Sequence, residues 1–295
     1  MMILLALLID RLFGEPPARL HPVVWMGAYL SWAGRRMVVL PPRRAFVAGA
    51  LAWFGGAVLV VVPAVAAAWA LRQMPAALAL VLGALLLKPL FALRLLLDEV
   101  AGVEAALEEG LDSGRSRLAR IVSRDTAALS AAEVRESALE SLAENLSDSL
   151  VAPLFWFVLL GLPGAALYRF ANTADAMWGY HGRWEWAGKW AAHADDLLNL
   201  LPARLTALAL LGLPRPERLA ALAREARRTA SPNSGWPMAA LALALGIRLG
   251  KPGVYRLNDS APAPTAIETR RALARAGKAG LALGLLAAAA QLAHG

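Results

Sequence analysis

The sequence predicts an all-α, polytopic membrane protein in which residues 1–295 form a single membrane-embedded domain. First, 58% of the 295 residues are apolar and only 18% are charged, whereas soluble domains are nearer half apolar and a quarter charged. Second, the apolar residues occur in blocks, and the block from Ala45 to Leu71 has no charge and is long enough to cross a bilayer. Third, arginines gather in short connecting segments such as Arg35 to Arg44, as they do in cytoplasmic loops.

Charge and cysteine content exclude several classes of function. The net charge of +8 could indicate a nucleic-acid partner, but the arginines lie between apolar blocks, where the positive-inside rule explains them. We therefore expect the lipid bilayer as a partner, no nucleic acid, and a multi-pass location in the cell inner (plasma) membrane. The chain has no cysteine, which excludes disulfides, thiolate metal sites and a cysteine nucleophile.

The N-terminal segment combines a short apolar stretch with a polar, turn-rich patch. Met1 to Ile9 is apolar but too short to cross a bilayer alone. From Asp10 to Pro22 the prolines prevent a continuous helix. His21 lies in this patch without a partner at metal-ligand spacing, so we expect it to cap a helix or to pack.

Three apolar segments follow, namely Val23 to Leu40, Ala45 to Leu71 and Pro75 to Leu97. Because the turn between the second and the third is very short, we expect these two to form an antiparallel hairpin. Lys88 and Arg94 lie in the second half of the third segment. We expect both side chains to snorkel to the cytoplasmic surface, and contact with a bound anion is the alternative.

Residues 98–148 form a charged region that we expect to be helical and cytoplasmic. The segment from Ser130 to Glu133 has the pattern of a capping box, which marks the start of a helix. Like charges at i, i+4 spacing repel by about 0.2–0.5 kcal/mol per pair. An exposed acidic stripe would be ordinary on a soluble helix, but this helix runs into the apolar segment that begins at Val151, so bound Mg²⁺ or a cationic substrate group explains the stripe better. The acidic residues at this spacing are Glu136, Glu140, Glu144 and Asp148, with Asn145 beside them.

A second polar cluster lies within residues 150–213, which we expect to form a re-entrant region that carries the site. Gly161 to Gly164, with Pro163, predicts a helix break, so Leu150 to Leu162 is a helix only about 20 Å long, against a hydrocarbon core of about 30 Å. Leu197 to Leu213 is also short and is interrupted by Pro202 and Arg204. Membranes tolerate such segments when they line a cavity. The polar residues of this cluster are Asn172, Asp175, Asp195, Asp196 and Asn199.

Two further segments could contact a ligand. Trp178 to Trp190 is rich in aromatic residues and glycine. An interfacial aromatic belt explains this composition, and a platform for a large flat ligand is the alternative. Ser231 to Pro237 is a turn whose donors suit a phosphate or an amide, although its spacing is equally compatible with a simple connection.

Four segments of the chain match a known family in their order along the sequence. They are Asp10 to Gly27 (DRLFGEPPARLHPVVWMG), Glu140 to Phe155 (ESLAENLSDSLVAPLF), Pro163 to Thr206, which contains NTADAMWGY and DDLLNLLPARLT, and Ser231 to Pro237 (SPNSGWP). With these segments the chain resembles the adenosylcobinamide-phosphate synthase (cobinamide synthase) family, integral membrane proteins of cobalamin biosynthesis. The sequence departs from the family pattern at Glu15, Ser149 and Met238, where Asp, Gly and an acidic residue are usual.

The resemblance implies an amide synthesis by an ATP-dependent acid–amine ligase. In that family the ring D propionate carboxylate of adenosylcobyric acid is joined to (R)-1-aminopropan-2-ol or its O-phosphate, with ATP as co-substrate. A carboxylate must be activated as an acyl phosphate or adenylate before an amine attacks it, which requires Mg²⁺ at the phosphate oxygens and a base for the amine proton. Other membrane enzymes of the cobalamin pathway could be partners.

Under this hypothesis the polar residues fall into three roles. The catalytic candidates are Glu140, Glu144, Asp175 and Asp196. The candidate Mg²⁺ ligands are Glu144, Asp148, Asp195 and Asp196. The candidate substrate-binding residues are Asn145, Asn172, Tyr180, Arg183, Lys189, Asn199, Arg204, Asn233 and Ser234, of which Arg183, Lys189 and Arg204 could hold phosphate.

The residues alone leave two other classes of function open. Asp195 to Asn199, with Asn172 and Asp175, is similar to the aspartate-rich Mg²⁺–diphosphate sites of membrane prenyltransferases. Intramembrane carboxylates also mark ion paths in transporters. Transfer of a labelled isoprenoid would identify the first class, and uptake into vesicles without a covalent product would identify the second.

The arginine-rich segments also predict the orientation of the site. Arg35 to Arg44 and Arg215 to Arg228 both have the composition of cytoplasmic loops. If residues 150–213 are re-entrant, both polar clusters meet in one pocket that faces the cytoplasm, roofed by the tryptophans of Trp178 to Trp190. We expect this pocket to be the active site.

Overall fold

The computed structural model describes residues 1–212 and 215–294, and it is almost entirely helical. The helices are α1 Met2–Phe13, α2 Pro22–Met37, α3 Pro42–Arg72, α4 Ala76–Leu87, α5 Leu93–Glu109, α6 Leu111–Leu118, α7 Ala131–Leu146, α8 Ala152–Trp178, α9 Lys189–Leu211, α10 Pro216–Ala226, α11 Gly235–Leu245 and α12 Ala266–His294. The strands β1 Leu249–Lys251 and β2 Tyr255–Leu257 pair as an antiparallel hairpin. The predicted all-α fold class is confirmed, and this small hairpin is an addition that the sequence pattern did not predict.

Within the described chain, four helices are long and apolar enough to cross a membrane. They are Pro42–Arg72, Ala76–Glu109, Ala131–Trp178 and Ala266–Ala293, of which the second joins α4 to α5 and the third joins α7 to α8. The predicted membrane fold is thereby confirmed. A kink in α8 at Gly161, where φ is 67°, confirms the predicted break. Re-entry of residues 150–213 stays a prediction, and its last residue, Leu213, lies outside the described residues.

The chain divides into two compact units. The first unit contains residues 1–92, residues 152–199 and the C-terminal end of α12 from Gly284. The second unit contains Leu93–Val151 and Leu200–Leu283. The second polar cluster, called here the aspartate–asparagine cluster (Asn172, Asp175, Asp195, Asp196 and Asn199), therefore belongs to the first unit. The acidic stripe of α7 belongs to the second.

In the first unit, α3 packs closely against α2 and α8 through an aromatic cluster. The ring of Phe170 lies 6.4 Å from that of Tyr29 and 6.1 Å from that of Trp53, measured between centroids. Gly56 makes this approach feasible, because a Cβ there would lie 2.2 Å from Phe170 Cζ. These contacts fix α8, which carries half of the candidate site, against the long apolar helix α3.

The turn-rich patch after α1 is held by a buried ion cluster centred on Lys88. Lys88 Nζ lies 3.0 Å from Asp10 Oδ1 and 2.6 Å from Glu15 Oε1. The second oxygen of Glu15 contacts His21 Nε2 at 3.0 Å. His21 Nδ1 accepts the backbone N–H of Val23, so the imidazole caps α2 as predicted.

The expectation that Lys88 snorkels to the surface is wrong, since its side chain is only 3% exposed. An ammonium group is stable in such a place when carboxylates surround it and satisfy its hydrogen bonds. Burial raises the pKa of Glu15, but the hydrogen bonds from His21 and Lys88 outweigh this effect and leave the pKa lowered. Glu15 therefore stays charged and balances Lys88.

In the second unit, α7 packs against α5, α11 and β1. The predicted capping box at its start is confirmed, with Ser130 and Glu133 exchanging side-chain and backbone hydrogen bonds. Arg135 forms a bidentate pair with Glu104 of α5, with nitrogen–oxygen distances of 2.7–3.1 Å. The C-terminal end of α7 is buried, as its apolar continuation predicted.

Candidate active site

The aspartate–asparagine cluster of the first unit is a chain of hydrogen bonds between α8 and α9. Asp195 accepts from Asn172 Nδ2 at 3.3 Å and from Asn199 Nδ2 at 3.0 Å, one bond on each carboxylate oxygen. The hydroxyl of Tyr168 donates to Asn199 Oδ1 at 2.9 Å. Helical spacing explains the arrangement, because Tyr168 and Asn172 are four residues apart on α8, as are Asp195 and Asn199 on α9.

The surroundings of Asp195 favour its protonated form. Burial raises the pKa of Asp195 to about 7, and the charge of Asp175 adds to this rise, while the bonds from Asn199 and Asn172 oppose it. Burial also raises the pKa of Asp196, against the effect of His193. Asp195 is therefore poised to exchange a proton near neutral pH, a property that marks functional carboxylates.

The tryptophan-rich segment forms a small polar pocket next to this cluster. Its volume is about 150 Å³, and Trp178, Trp184, Lys189, His193 and Asp196 are among the residues that line it. The indoles of Trp178 and Trp184 stack, with centroids 6.3 Å apart and planes at 22°. The pocket thus combines aromatic walls with an ammonium group, an imidazole and a carboxylate.

Close backbone contacts hold the segment between α8 and α9 in place. A Cβ at Gly49 of α3 would lie 2.0 Å from the carbonyl oxygen of Ala187. A Cβ at Gly188 would lie 1.7 Å from the carbonyl oxygen of Trp178. Only glycine permits this packing, so the walls of the pocket are fixed by backbone contacts.

Cation–π contacts place two of the predicted phosphate-binding side chains over indole rings. The guanidinium of Arg183 lies 5.4 Å from the ring centroid of Trp184, and Lys189 Nζ lies 4.8 Å from that of Trp186. Tyr180 also lines the pocket and is 47% exposed. The structure therefore brings Tyr180 and Lys189 together at the pocket, and Arg183 contacts Trp184 of its wall.

Arginines pair with two carboxylates of the acidic stripe in the second unit. Arg248 pairs with Glu136 at 2.9 Å, and Arg124 pairs with Glu140 at 2.8 Å. Burial raises the pKa of Tyr255, and the charges of Glu140 and Glu144 raise it further. Because Arg124 lies in the connection before α7 and Arg248 lies far beyond it in sequence, the helix pattern alone could not reveal them.

The stripe ends at a π-helical segment, Ser147–Val151, which contains Asp148. Short π-helical segments inside longer helices occur frequently at functional sites. Asn145, in the turn before it, donates to the carbonyl and hydroxyl oxygens of Ser141 at 3.0 and 3.2 Å. Glu144 therefore lies just before this local irregularity of the helix, and Asp148 lies within it.

The segment from Ser231 to Pro237, predicted as a turn, forms a turn only up to Ser234 and then begins α11, and Arg204 lies at its centre. The guanidinium donates to the side-chain oxygen of Asn233 and, at 3.0 Å, to the carbonyl oxygen of Pro232. It also lies 4.8 Å from the ring centroid of Trp236. The backbone N–H groups of Asn233 and Ser234 both donate to Ser231 Oγ at 3.2 Å. Several N–H donors of the Arg204 guanidinium are thus already used within the chain. The first role of Arg204 is therefore to hold the turn.

The predicted site residues thus fall into separate groups. The first unit holds Asn172, Asp175, Tyr180, Arg183, Lys189, Asp195, Asp196 and Asn199, and the second holds Glu140, Glu144, Asn145, Asp148, Arg204, Asn233 and Ser234. A pocket shared by both clusters stays a prediction. Across residues 1–212 and 215–294, no three His, Asp or Glu side chains converge as a metal site.

Several functional candidates did not emerge from the sequence. Tyr168 could have been found, because it lies one helical turn before Asn172. His193 shares a helix face with Asp196, which was a second available signal. Arg124 and Tyr255 had no signal, because only the tertiary fold brings them to Glu140.

Comparison with known proteins agrees with the segments identified above. The family model described as CobD/Cbib protein matches residues 3–283. A probable cobalamin biosynthesis protein CobD of Methanothermobacter thermautotrophicus is 41% identical over 264 residues, covering 87% of this chain and 86% of the relative. A cobalamin biosynthesis protein CobD of Rhodobacter capsulatus is 41% identical over 307 residues, covering 96% and 95%. A third, from Dehalococcoides mccartyi, is 38% identical over 263 residues, covering 87% and 85%.

No solved structure matches the chain. The family model and these relatives each cover more than four fifths of the sequence, including the polar clusters of both units. The chain therefore belongs to the CobD/Cbib protein family and has its role in cobalamin biosynthesis.

Proposed function

We propose that the protein forms the amide bond between the ring D propionate of adenosylcobyric acid and (R)-1-aminopropan-2-ol or its O-phosphate, using ATP. The observation that carries this proposal is the buried Asp195, which two asparagines hold and which adjoins Asp196 in the sequence, a residue that lines the tryptophan-walled pocket. Amide formation needs a group that accepts a proton from the attacking amine near neutral pH. Asp195, whose pKa is raised to about 7, suits this task better than an ordinary surface carboxylate.

The neighbours of Asp195 have distinct supporting roles. Asn172 and Asn199 each donate to one oxygen and hold the carboxylate in a fixed orientation. Tyr168 donates to Asn199 and so fixes which end of that amide faces Asp195. Asp175 acts through its charge, which raises the proton affinity of Asp195.

The pocket has the size of the smaller substrate. Its volume of about 150 Å³ lies well below the roughly 300–1,000 Å³ of pockets for drug-sized ligands. It therefore suits the amino alcohol, with Asp196 near its ammonium group and Lys189 available to a phosphate. The exposed faces of Tyr180 and Trp186 would contact the larger corrinoid by stacking.

The carboxylates present fit Mg²⁺ in the way that phosphate-using enzymes bind it. Mg²⁺ typically takes one or two carboxylates and completes its shell with water and substrate phosphates, so a group of three protein ligands is not required. Glu144 and Asp148 in the second unit, and Asp196 in the first, are suitable. Mg²⁺ would neutralise phosphate oxygens of ATP. Asp195 was a predicted ligand, but both its oxygens already accept amide hydrogens, so we assign it to proton transfer.

The proposal is tested with the purified protein, adenosylcobyric acid, Mg-ATP and either amine, with products identified by mass spectrometry. The expected product has the mass of the corrinoid plus the amine minus water, and it should require ATP. Asp195→Asn should lower the rate of product formation by about 10²–10⁴-fold, whereas Asp259→Asn, which changes an exposed carboxylate, should not. ATP-independent product, or no product with either amine, would refute the proposal.

A further inference from the structure

The first unit contains a second, larger cavity that the proposed reaction does not use. Its volume is about 570 Å³, and residues of α2, α3, α4 and α8 line it. Its lining is almost wholly apolar. Tyr29 and Trp25 carry polar groups, but the hydroxyl of Tyr29 already donates to the carbonyl oxygen of Ala52 at 2.7 Å, and the indole N–H of Trp25 donates to that of Arg19 at 3.1 Å. The cavity therefore offers nothing to a nucleotide or to the amide groups of a corrinoid.

The cavity lies at the depth of the hydrocarbon core. The short turn between α3 and α4 must lie at a membrane surface, because both helices belong to membrane spans. Among the lining residues of α3, Ala67 is about 8 Å and Gly56 about 24 Å from Arg72 at the helix end, at about 1.5 Å per residue. The cavity thus extends over about 16 Å along the bilayer normal, close to the ~15 Å thickness of one leaflet of the core.

The wall of the cavity is open toward lipid. Leu59, Leu85 and Leu86 line it and are 59%, 50% and 45% exposed. In a bilayer such side chains contact acyl chains. An opening of this kind, one leaflet long and free of polar groups, is complementary to a single hydrocarbon chain.

The cationic side chain of Arg72 lies at the end of α3, on the side of the cavity that is nearest to the membrane surface. Arg72 is exposed at the end of α3, and its guanidinium makes no ion pair within the described residues. Trp69, one turn before it, is 66% exposed, as is typical of aromatic residues at the membrane interface. Arg72 is therefore placed to bind a phosphate above the cavity, by charge and by the bidentate geometry of its side chain.

We propose that this cavity holds one acyl chain of a membrane phospholipid whose phosphate pairs with Arg72. The hydrophobic wall supplies the binding energy, and Arg72 selects a lipid with a phosphate at the membrane surface. The bound lipid completes the packing between α2, α3, α4 and α8.

Native mass spectrometry of the full chain tests the proposal. The protein is reconstituted with palmitoyl-oleoyl phosphatidylglycerol or with the corresponding diacylglycerol, and bound lipid is counted after release from detergent. We expect a phosphatidylglycerol adduct on the unaltered chain and at least tenfold less on Ala64→Phe/Ala67→Phe, whose added rings fill the cavity. Ala66→Phe is the matched control, because Ala66 is exposed on the same helix and does not line the cavity.

The headgroup is tested separately. The unaltered chain should bind phosphatidylglycerol better than diacylglycerol, and Arg72→Gln should lose this preference. Should the double variant fold poorly, Ala64→Leu alone should still lower the adduct several-fold. An unaltered chain without an adduct, or an adduct that persists in the filled variants, would overturn the acyl-chain site, and equal binding of diacylglycerol would overturn the role of Arg72.

Discussion

Asp195 should make stability depend on pH in a direction opposite to that of a salt-bridged carboxylate. Its folded-state pKa of about 7 lies above the ordinary value, so folding favours the protonated form. This contribution is present at low pH and is lost as pH rises through about 7. We predict that the melting temperature falls from the ordinary pKa of 3.8 up to about pH 7 and changes little above it, and that Asp195→Asn removes most of this fall. Differential scanning fluorimetry in detergent measures it, with Asp259→Asn as the control.

The same group should shape the pH dependence of turnover. If Asp195 accepts the amine proton, the rate should rise as its carboxylate form becomes populated near pH 7. Loss of a general base typically lowers the rate by about 10²–10⁴-fold. Asp195→Asn should therefore lose activity by this order together with the rising limb of the profile. If Asp195→Asn keeps both the turnover rate and the rising limb of the pH profile, Asp195 has only a structural role.

Lys88 should be essential for stability, because its removal leaves the buried Asp10 and the partly buried Glu15 without their cation. Breaking such an ion cluster typically costs about 3–5 kcal/mol. We predict this loss for Lys88→Met in thermal or denaturant unfolding, and a partial recovery in Lys88→Met/Glu15→Gln. Lys251→Met changes an exposed lysine and should have little effect. If Lys88→Met were as stable as Lys251→Met, the buried ion cluster would be contradicted.

Lys88 also shows the limit of residue-level prediction. Its position in an apolar segment was visible in the sequence, but the identity of its partners depends on the turn after α1 reaching the end of α4. The prolines of that turn were visible, and the path that they impose was not. The cap formed by His21, by contrast, depends on neighbours in sequence and could be predicted.

At the scale of elements, the glycine contacts of α3 position the tryptophan-rich segment. Gly49→Ala would place a Cβ against the carbonyl oxygen of Ala187, and overpacking of this kind typically costs about 1–3 kcal/mol. We predict that this variant increases hydrogen exchange across residues 179–188 and lowers turnover. Gly27→Ala is the matched control, because its Cβ would lie 3.9 Å from Met177 Sδ. Unchanged exchange in Gly49→Ala would show that the segment is not anchored there.

Elements with a strong local signal could be predicted, and elements made by distant contacts could not. The capping box of α7, the α3–α4 hairpin and the break near Gly161 all follow from neighbouring residues. The β1–β2 hairpin packs on α7 from far along the chain, and its short strands carry little pattern. The candidate site divides in the same way, since helical spacing joins Asp195 to Asn199, and only the fold joins Glu140 to Arg124.

At the scale of the whole molecule, the sequence predicts that the tryptophan-rich segment and the charged region face the same side of the membrane. A chain without cysteine allows this to be tested by single-cysteine labelling. His181→Cys is preferable to a change at Gly182, where φ is 82°, because the side chain of His181 is 97% exposed. We predict that His181→Cys and Ser116→Cys are labelled by a membrane-impermeant maleimide only after the cytoplasmic face is opened.

The control is Gln73→Cys in the α3–α4 turn, which is exposed and should show the opposite pattern. Labelling of His181→Cys in intact cells would place the pocket outside and separate it from cellular ATP. The proposed ATP-dependent chemistry would then need a different site. The same side for both positions would support the single cytoplasm-facing pocket.

The bond between Tyr168 and Asn199 has a consequence for how the site handles protons. The phenol of Tyr168 donates to the amide oxygen of Asn199, and the amide nitrogen donates to Asp195. The oxygen of this asparagine is therefore fixed as an acceptor and its nitrogen as a donor. An amide N–H does not release its proton at physiological pH. Asn199 therefore transmits the electrostatic effect of Asp195 to Tyr168 but does not transfer a proton between them. Charge on Asp195 polarises Tyr168, while the proton itself must leave by another route. The ultraviolet absorbance of Tyr168 should therefore report the ionisation of Asp195 without taking part in it.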